Sequence, residues 1–580
     1  MAKRWLFPAH DPARIADLQR QAGISPVLAQ LLVQRGLVQA EQVRGFLEAK
    51  LSDLRDPEQL PGVAQAADLI YGAVTERRRI TVYGDYDADG MTATALLYRC
   101  LKLLSADVQY YVPNRMEEGY GLNAEAIEKL HARGTSMIVT VDCGIASVAE
   151  AQRARELGLQ LVVTDHHHPG PELPAADAIV HPGLPGTGYP FAGLCGAGVA
   201  FKLAWALCQR ASQSTRVSER LKSFLVAALG LAAMGTVADV VPLVDENRVL
   251  VRHGLKSVKS QPLPGLTALL RVTNLHEKSS LASEDIAFML APRLNAAGRL
   301  GQAQLGVELL ATDDPERARA LAEYIDQLNA SRDSLERSVY LAAHKQLKDE
   351  FDPDEDPAFV LAQPGWHLGV IGIVAGRLAE KYHRPVVMIS LDELGAKPGT
   401  GSARSIPGVD LHRAFAECSE HLVSHGGHSA AAGLRIDQRQ VEAFRNHFCQ
   451  VVSECCGAEM PVAELRIDAE ASLSELTQQA VEQLEQLAPF GQGNTRPLLC
   501  ASGVELADKP VCMGRSHNHL AVRVRQGGVV LRGMAFNKAE WLPELEAVSG
   551  PLDLAYRPVI NEFRGRRSVE MHVVDWRPHQ

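Results

Sequence analysis

The sequence predicts an α/β protein in which a parallel-sheet domain is followed by a long helix, a second α/β domain and a small C-terminal β-barrel. Between about residues 78 and 255, short apolar β-rich runs alternate with helix-like segments, which is typical of βαβ units. From Pro315 to about Glu350 the chain has helix formers and many charges, without a further Gly or Pro. Beyond about residue 490 apolar and polar residues alternate, as in a strand.

Length and composition set the first limits on function. With 580 residues and 46% hydrophobic content, the chain can form several cores, in about three or four domains. The net charge of -10 argues against a protein that coats polyanions with its whole surface, although it allows a local nucleic-acid site. The ten cysteines form no CxxC pair, and no run of 18 apolar residues occurs. We therefore expect a cytoplasmic protein without a membrane segment, a disulfide framework or a cysteine zinc site.

The chain divides into five predicted segments. Leucines near helical spacing predict short packing helices at the N-terminus, and an acidic, proline-containing run near residue 352 opposes any packed element. The segments are an N-terminal helical segment (1–50), a parallel-sheet domain (51–312), a connecting helix with an acidic linker (313–356), a second α/β domain (357–456) and the barrel (457–580).

The first chemical signal is an apolar run, residues 80–84, that ends in Asp85, Asp87 and Asp89. If the strand conformation continued, these alternating side chains would lie on one face. Their charges would repel one another unless cations lay among them. A solvated turn rich in Asp and Gly is the alternative.

The same pattern occurs twice more. Residues 137–141 precede Asp142, and residues 161–164 precede Asp165, His166 and His167. Because ligands of parallel sheets sit outside the carboxyl ends of the strands, the three acidic ends should border one crevice. Carboxylate together with imidazole suits manganese or a similar ion, without excluding magnesium.

A fourth carboxylate, Asp239, follows the apolar helix predicted over residues 223–234. Such a residue between Ala and Val is costly to bury unless it is paired or bound to metal. A helix-capping role is the alternative.

Two further stretches have residue types that contact phosphate. Arg293, Asn295 and Arg299 stand among small apolar residues, and the second α/β domain has Ser402 and Arg404 between small residues and His428 beside glycines. Glycine lets backbone amides approach an anion closely.

The predicted barrel has nine arginines between residues 504 and 580. A barrel of the OB type with arginines on one face would bind single strands through charge and stacking. An ordinary solvated sheet face is the alternative.

Taken together, these motifs resemble the DHH phosphoesterase superfamily over about residues 75 to 575. The matching motifs are Gly84-Asp85-Tyr86-Asp87-Ala88-Asp89-Gly90, Val141-Asp142-Cys143-Gly144, the signature Asp165-His166-His167, Gly235-Thr236-Val237-Ala238-Asp239, Gly426-Gly427-His428 with Gly433, and Pro489-Phe490-Gly491-Gln492-Gly493-Asn494. The order of these motifs and the length of the chain are similar to those of the branch of this superfamily that degrades single-stranded DNA from the 5′ end. One departure follows Arg299, where residues 301–304 (Gly-Gln-Ala-Gln) lack an expected acidic residue.

The resemblance implies a DHH domain, a DHH-associated domain and an OB-like barrel, with hydrolysis of a phosphodiester by two divalent ions, Mn²⁺ or Mg²⁺. The implied metal ligands are Asp85, Asp87, Asp89, Asp142 as the bridge, His166 and Asp239. His167 would face the scissile phosphate, Asp165 would orient the histidines, and Arg293 and Arg299 would neutralise phosphate oxygens.

An enzyme that degrades DNA from the 5′ end must also recognise that end of the DNA strand. We expect Arg115, Arg404 and the Ser402 hydroxyl to meet at a terminal 5′-phosphate, with Tyr120 stacking on a base and Asn295 and His428 contacting substrate. The alternative is that both arginines pair only with interdomain carboxylates.

By resemblance, the partners are single-stranded DNA, single-strand binding protein and a RecQ-type helicase, in DNA recombination and repair, and a monomer is expected. Two other functions stay open at this point. One is a DHH-family oligoribonuclease or cyclic-dinucleotide phosphodiesterase, which would not need a barrel. The other is a non-catalytic scaffold that binds single-stranded DNA, against which every acidic motif position still carries its Asp or His.

Overall fold

A computed structural model describes residues 3–114, 118–119, 121–261, 263–353, 355–456, 461–514, 516–563 and 565–579. Two residues that we expect to contact the 5′ end of the DNA, Arg115 and Tyr120, lie outside these ranges. The predicted fold class is confirmed, with a parallel-sheet domain, a long helix, a second α/β domain and a barrel.

The N-terminal segment forms one short strand and three helices. Asp11 and Ser25 cap the first two helices through their side chains, and each of these helices begins with proline. The elements are β1 (Arg4–Leu6), α1 (Pro12–Ala22), α2 (Pro26–Gln34) and α3 (Ala40–Glu48).

The DHH domain is built on a five-stranded sheet. Its elements are α4 (Val63–Thr75), β2 (Ile80–Gly84), α5 (Ala88–Leu103), β3 (Val108–Tyr111), α6 (Ala124–Ala132), β4 (Met137–Val141), α7 (Val148–Glu156), β5 (Gln160–Thr164) and β6 (Ala178–Val180). The strands are all parallel, in the order β3-β2-β4-β5-β6. Both β2 and β4 are buried along their whole length, as apolar strands covered on both faces should be. The carboxyl ends of β2, β4 and β5 are therefore neighbours.

A helical layer completes this domain. It contains α8 (Gly196–Ser212), α9 (Glu219–Ala238), α10 (Asp245–Ser260), α11 (Pro264–Val272), the single turn α12 (Ser283–Asp285), a π-helix (Ile286–Leu290), α13 (Ala291–Arg299) and α14 (Ala303–Ala311). By length and composition, α9 is the one helix in the described residues that would be apolar enough to cross a membrane, but 67% of its apolar window is buried inside the protein. It is a core helix, packed against α5, α8 and α10.

The predicted connecting helix is present as α15 (Pro315–Glu350), capped by Asp314. Near its start Leu321 and Ile325 belong to the core of the DHH domain, and near its end Val339 and Leu347 belong to the core of the next domain. One continuous helix thus joins the two α/β domains.

The DHH-associated domain has a mixed sheet. Its elements are β7 (Phe359–Pro364), α16 (Leu368–Tyr382), β8 (Val386–Leu391), β9 (Gly399–Arg404), α17 (Leu411–Glu417), β10 (Leu422–Gly427), β11 (Ala431–Ile436) and α18 (Val441–Cys456). The order is β10-β11-β9-β8-β7, and only the β7–β8 pair is parallel. The stretch around Ser402 and Arg404, which has residue types that contact phosphate, is strand β9.

The C-terminal segment forms a closed barrel. Its elements are β12 (Glu464–Arg466), β13 (Ala469–Glu470), α19 (Gln478–Glu485), β14 (Leu499–Leu506), β15 (Val511–Met513), β16 (His519–Gln526), β17 (Val529–Ala535), α20 (Leu542–Ala547), β18 (Leu552–Phe563) and β19 (Arg566–Pro578). The pairings β14-β18-β19-β17-β16 return to β14, so five strands close a ring. A five-stranded ring is the architecture of an OB barrel.

The N-terminal segment packs onto this barrel. Leu18, Leu28 and Leu32 share a core with barrel residues, and β1 pairs in parallel with β12. Arg248 of α10 ties both parts to the DHH domain. Its buried guanidinium donates to the carbonyls of Phe46, Gln486 and Leu487 at 2.7 to 3.2 Å.

Candidate metal centre and active-site cleft

The first three aspartates are brought together by a helix start. Strand β2 ends at Gly84, Asp85 follows it, and Asp87 is the N-cap of α5, accepting a hydrogen bond from the amide of Gly90 at 3.0 Å. Asp89 lies in the first turn of α5. The expectation that these side chains share one face of a continuing strand was therefore wrong, although the clustering it predicted is present.

Asp142 lies at the centre of the cluster. It follows β4 with a φ of 63°, in the left-handed region, which turns its side chain toward the start of α8. A Cβ on Gly196 would lie 2.5 Å from the Cβ of Asp142, so only glycine fits at this point of α8.

Asp89 is held by the first amides of α8. Its two carboxylate oxygens accept from Gly196 at 2.6 Å and from Ala197 at 2.9 Å. The positive end of the helix dipole stabilises a carboxylate here. A Cβ on Gly235 of α9 would lie 2.3 Å from Oδ1 of Asp89. Gly196, which the sequence did not single out, and Gly235, which belongs to a matching motif, are therefore both required for close packing around the cluster.

His166 lies between three of the carboxylates. Its Nε2 is 3.0 Å from Oδ1 of Asp142, 3.5 Å from Oδ2 of Asp239 and 3.9 Å from Oδ2 of Asp89. Asp239 reaches the group from the end of α9, where it is the C-cap residue. The predicted ligands thus come from the ends of β2, β4 and β5, the start of α5 and the end of α9, and they meet in one place.

The possible metal-ligand atoms fall into two groups, and Asp142 lies close to both. Asp85, Asp87 and Asp142 make one group, and Asp89, His166 and Asp239 make the other, each with ligand atoms within 4.8 Å of one another. Asp142 also forms a group with His166 and His167. This is the position that a bridging carboxylate would occupy.

Burial and mutual repulsion raise the pKa values of these acids when no cation is bound. Burial and the charge of Asp87 raise the pKa of Asp89 to about 6, and burial with the charge of Asp89 raises the pKa of Asp239 to about 8. The same two causes place the pKa of Asp142 well above its usual value. Burial and the neighbouring His167 lower the pKa of His166 to about 4, so its imidazole is neutral and can act as a ligand.

The site fits divalent cations. Oδ1 of Asp142 and Nε2 of His166 are buried and have no hydrogen-bond partner in the part of the chain that the structure describes. Buried polar atoms normally have partners, and carboxylate with neutral imidazole is a donor set for divalent metals. A cation among these groups would satisfy both atoms and remove the repulsion that raises the acid pKa values.

His167 has a different environment from His166. Burial opposes its protonation, but a 2.8 Å hydrogen bond to Asp165 and the charge of that carboxylate outweigh burial and raise the pKa of His167 to about 9. Asp165 also accepts hydrogen bonds from the amides of Ile145, His166 and His167, so it holds the backbone of this segment. The His167 side chain is 42% exposed, so its cationic ring faces the cleft.

Sequence reasoning missed His181. This residue is buried, its Nε2 lies 2.7 Å from the carbonyl oxygen of His167, and its Nδ1 accepts from the amide of Gly183 at 3.0 Å. The two contacts assign the proton to Nε2 and fix the backbone of His167. The available signal was a further apolar strand, β6, that ends immediately before this histidine.

Two residues of helix α13, Asn295 and Arg293, have different structural roles near the site. Oδ1 of Asn295 accepts from the amide of Ala88 at 2.9 Å, so Asn295 holds the first residue of α5. Arg293, expected to meet substrate phosphate, instead bonds to Asp326 of α15 at 2.7 Å and to the carbonyl of Met289 at 2.6 Å. It braces α13 against α15, and its predicted catalytic role has no support in these contacts.

The two α/β domains meet across a cleft beside the cluster. Nη1 of Arg299 donates to the carbonyl of Gly369, at the start of α16, at 3.1 Å. The rings of His168 and His428 face each other from opposite domains at 6.3 Å. Of the predicted substrate contacts, His428 thus lies opposite the His-rich signature.

Ser402 and Arg404 lie side by side on β9, near the start of α16. Nη1 of Arg404 is 3.2 Å from Oγ of Ser402. A Cβ on Gly372 of α16 would lie 2.8 Å from that hydroxyl and 3.1 Å from Nη2 of Arg404. Both side chains therefore project toward the first turns of α16, on the side of the sheet where Arg299 joins the domains.

Three family models match successive parts of the chain. They are the DHH family N-terminal domain over residues 79–236, the DHHA1 domain over residues 355–454 and the RecJ OB domain over residues 467–575.

Curated relatives match nearly the whole chain. The single-stranded-DNA-specific exonuclease RecJ of Escherichia coli strain K12 is 38% identical over 567 residues, covering 96% of each chain. The Bacillus subtilis protein of the same name is 37% identical over 572 residues, covering 99% of this chain and 70% of its own length. Among solved structures, RecJ of Thermus thermophilus in complex with Mn²⁺ is 31% identical, with a TM-score of 0.84 over 100% of this chain and 80% of that one. Its complex with Mg²⁺ matches with a TM-score of 0.78.

Proposed function

The chain belongs to the RecJ family of single-stranded-DNA-specific exonucleases, and from this premise we propose that it degrades single-stranded DNA from the 5′ end by metal-dependent phosphodiester hydrolysis. The observation that carries the proposal is the complete donor set around Asp142, where two ligand groups meet at the carboxyl ends of β2, β4 and β5.

Each residue of the cluster has a distinct task in this proposal. Asp85 and Asp87 would hold one cation, Asp89, His166 and Asp239 a second, and Asp142 would bridge them. When bound, such a pair of ions supplies an activated water and neutralises the departing oxygen. His167, cationic because of Asp165, would donate a hydrogen bond or proton to the phosphate from the open side of the cleft.

For the 5′ polarity, the support is the position of Ser402 and Arg404 beside the first turns of α16. A serine hydroxyl, an arginine and nearby helix amides are the groups that bind a terminal phosphate. They lie in the domain that faces the cluster across the cleft, so a strand held there by its end would place a phosphodiester near Asp142.

The alternatives raised by the sequence have less support. A small oligoribonuclease or cyclic-dinucleotide phosphodiesterase does not account for a closed barrel that matches the RecJ OB domain over residues 467–575. A non-catalytic scaffold does not account for an intact ligand set with two unsatisfied donor atoms. Roles in recombination and repair, single-strand binding protein and a RecQ-type helicase as partners, a monomeric state and a cytoplasmic location stay predictions.

The direct test uses single- and double-stranded oligonucleotides that carry a label at either end, incubated with Mn²⁺ or with EDTA. We expect Mn²⁺-dependent release of mononucleotides from the labelled 5′ end of the single strand, and little from the duplex. The Asp142→Asn protein, purified in parallel, excludes a contaminating nuclease. Early release of a 3′ label would overturn the polarity, and no release of either label with Mn²⁺ or Mg²⁺ would overturn the activity.

A further inference from the structure

A second group of side chains that could hold a metal ion lies in the DHH-associated domain. Glu420, His421 and His447 each offer one ligand atom, and these atoms lie within 4.8 Å of one another. Glu420 and His421 belong to the 3-10 turn Ser419–His421 that precedes β10, and His447 lies on α18. The side chains of His421 and His447 are 17% and 31% exposed, and that of Glu420 is 71% exposed. Two partly buried imidazoles thus lie beside a carboxylate that faces solvent, and we call this group the α18 site.

The three ligand atoms are spaced almost as a zinc ion requires. Oε1 of Glu420 is 3.8 Å from Nε2 of His421 and 3.6 Å from Nδ1 of His447. The two rings meet edge to face, with their centroids 5.4 Å apart and their planes at 88°. A tetrahedral zinc ion with bonds of about 2.0 to 2.2 Å separates neighbouring ligand atoms by about 3.3 to 3.6 Å. Small side-chain rotations are therefore enough to place all three atoms on one ion.

A hydrogen bond prepares His421 to be a ligand. Its Nδ1 lies 3.3 Å from Oε1 of Gln440, and because an amide oxygen only accepts, Nδ1 carries the proton of the neutral ring. Nε2 then has a free lone pair, and it is the nitrogen on the side of Glu420. Histidines that bind metal usually donate their other N–H to a neighbouring acceptor in this way.

The carboxylate of Glu420 has no basic partner of the usual kind. In the part of the chain that the structure describes, it lies within 4.0 Å of the two imidazoles and of no lysine or arginine. Glu417, one turn earlier, instead pairs with Arg413 at 3.0 Å. Neutral imidazoles supply no countercharge, whereas a divalent cation would balance the carboxylate and accept both nitrogen lone pairs.

The backbone that carries these ligands is fixed by one apolar core. Phe415 and Cys418 lie just before the 3-10 turn, Phe444 and Phe448 flank His447, and all four are buried in the core of this domain. The ring of Phe415 lies 5.9 and 5.7 Å from those of Phe444 and Phe448. The turn and the helix thus keep their separation without an ion, which lowers the ordering cost of binding one.

We propose that Glu420, His421 and His447 bind a divalent transition ion of the zinc class, and that this ion ties the start of β10 to α18. Two imidazoles with one carboxylate favour Zn²⁺, whereas the aspartate-rich DHH cluster suits Mn²⁺ or Mg²⁺. Strand β10 leads from this site to His428 at the cleft, and its six residues span roughly 20 Å. The α18 site is thus separate from the proposed active site, and failure of either proposal leaves the other standing.

Peptide-resolved hydrogen exchange of the full chain is the test, because it reports on the two metal sites separately. With Mn²⁺ present for the DHH cluster, Zn²⁺ is added stepwise. Amide exchange in residues 419–424 and 441–450 should slow by up to about 100-fold once free Zn²⁺ reaches about 100 times its dissociation constant. Each of three variants that remove a ligand should lose most of this protection: Glu420→Gln, His421→Ala and His447→Ala.

Two controls accompany these variants. His412→Ala removes an exposed histidine of α17 outside the site and should keep the Zn²⁺-dependent protection. Exchange of β7 and β8 in EDTA should be the same in every variant, which shows that the domain is folded. The proposal is overturned if Zn²⁺ slows exchange in neither segment of the unmodified chain, because Glu420 would then pair only with protonated imidazoles. Full protection in His447→Ala would also overturn it, since the ion would then lie elsewhere.

Gln440 has its own measurement. Loss of the hydrogen bond that orients His421 should raise the Zn²⁺ concentration for half-maximal protection by about 10- to 100-fold in Gln440→Leu. Gln438→Leu changes the same residue type in the same 3-10 turn and should shift this concentration little. Equal shifts in the two variants would overturn the role assigned to Gln440.

Discussion

Oδ1 of Asp142 and Nε2 of His166 lie 3.0 Å apart, and neither has a hydrogen-bond partner among the residues that the structure describes. Burial keeps the imidazole neutral at pH 7, because it lowers the pKa of His166 to about 4. A carboxylate and an imidazole nitrogen that carries no proton repel each other unless a proton or a cation lies between them. A cation at this point would give both buried atoms a partner.

The first prediction concerns Asp142→Asn. Removing the bridging carboxylate should lower Mn²⁺-dependent hydrolysis below about a tenth of the unmodified rate, since the two proposed cation positions lose the carboxylate that they share. In EDTA the variant should melt no lower than the unmodified protein, because a buried repulsive charge is gone. Hydrolysis rates and melting temperatures with and without Mn²⁺ check both parts. A rate above a tenth would exclude the bridging role.

The second prediction concerns His167→Ala. Loss of the cationic ring should reduce kcat by about 100- to 10,000-fold, as for a general acid, while Mn²⁺ affinity changes little. The neighbouring His168 has no contact with Asp165 in the described structure, so His168→Ala serves as the matched control and should have a smaller effect. Equal loss of metal affinity and rate in His167→Ala would identify His167 as a ligand.

The third prediction concerns pH. The folded pKa values of Asp89 and Asp239 are raised to about 6 and about 8, above the ordinary value of about 4 in the unfolded chain. The folded apoprotein thus binds more protons than the unfolded chain between these limits, and its stability is lost as pH rises from about 4 to 8.

Metal should cancel this loss. The rise in melting temperature caused by Mn²⁺ should be larger at pH 8 than at pH 5.5, and Asp239→Asn should flatten the pH dependence measured in EDTA. An identical pH slope in Asp239→Asn and in the unmodified protein would show that the titration lies elsewhere.

The fourth prediction concerns Arg404→Ala. If this guanidinium binds the terminal phosphate with Ser402, the variant should slow degradation of 5′-phosphorylated strands far more than of 5′-hydroxyl strands, and the difference between the two substrates should shrink. Arg413→Ala removes an exposed arginine that pairs with Glu417 in the same domain and is the control. Equal slowing of both substrates would mean that Arg404 supports the domain and reads no end group.

The fifth prediction concerns Arg248→Ala. The buried guanidinium donates to three carbonyls and lies 3.8 Å from the ring centre of Phe46, so its loss leaves unpaired acceptors at the junction of three segments. We expect a cost of about 3 kcal/mol or more and early proteolytic cleavage of the N-terminal segment. Arg252→Ala, which removes one bond to the carbonyl of Leu47, should cost less. Comparable protease sensitivity in the two variants would contradict this account.

The ligands of the cluster were predictable because each follows an apolar run that ends at the same edge of the sheet. The βα alternation and the rule that ligands sit at carboxyl strand ends place Asp85, Asp142 and the Asp165-His166-His167 segment at one crevice. The choice of His166 as the ligand came from the family resemblance. The start of α5 was harder to predict, because alternation of aspartates fits a strand as well as a helix N-terminus. The N-cap bond from Gly90 to Asp87 decides between them.

Other features depend on distant residues and had no local signal. Arg293 has the residue type and the surroundings of a phosphate contact in the sequence, but its side chain pairs with Asp326 of α15, 33 positions away. The sequence of α1–α3 has amphipathic spacing, but it does not indicate which part of the protein these helices pack against. In the structure they pack against the barrel. His181 follows a strand that is too short to stand out, and its role is visible only through its contact with the carbonyl of His167.

The pairing of β1 with β12 joins residues 460 positions apart, Arg4 and Glu464. On a ribosome adding about 5–20 residues per second, the N-terminal segment leaves first and waits roughly 25 to 90 s for the barrel that covers it. Throughout that interval the apolar face of α1 and α2 has no native partner. The order of synthesis thus leaves this segment, which is made before the barrel, exposed until the barrel is complete.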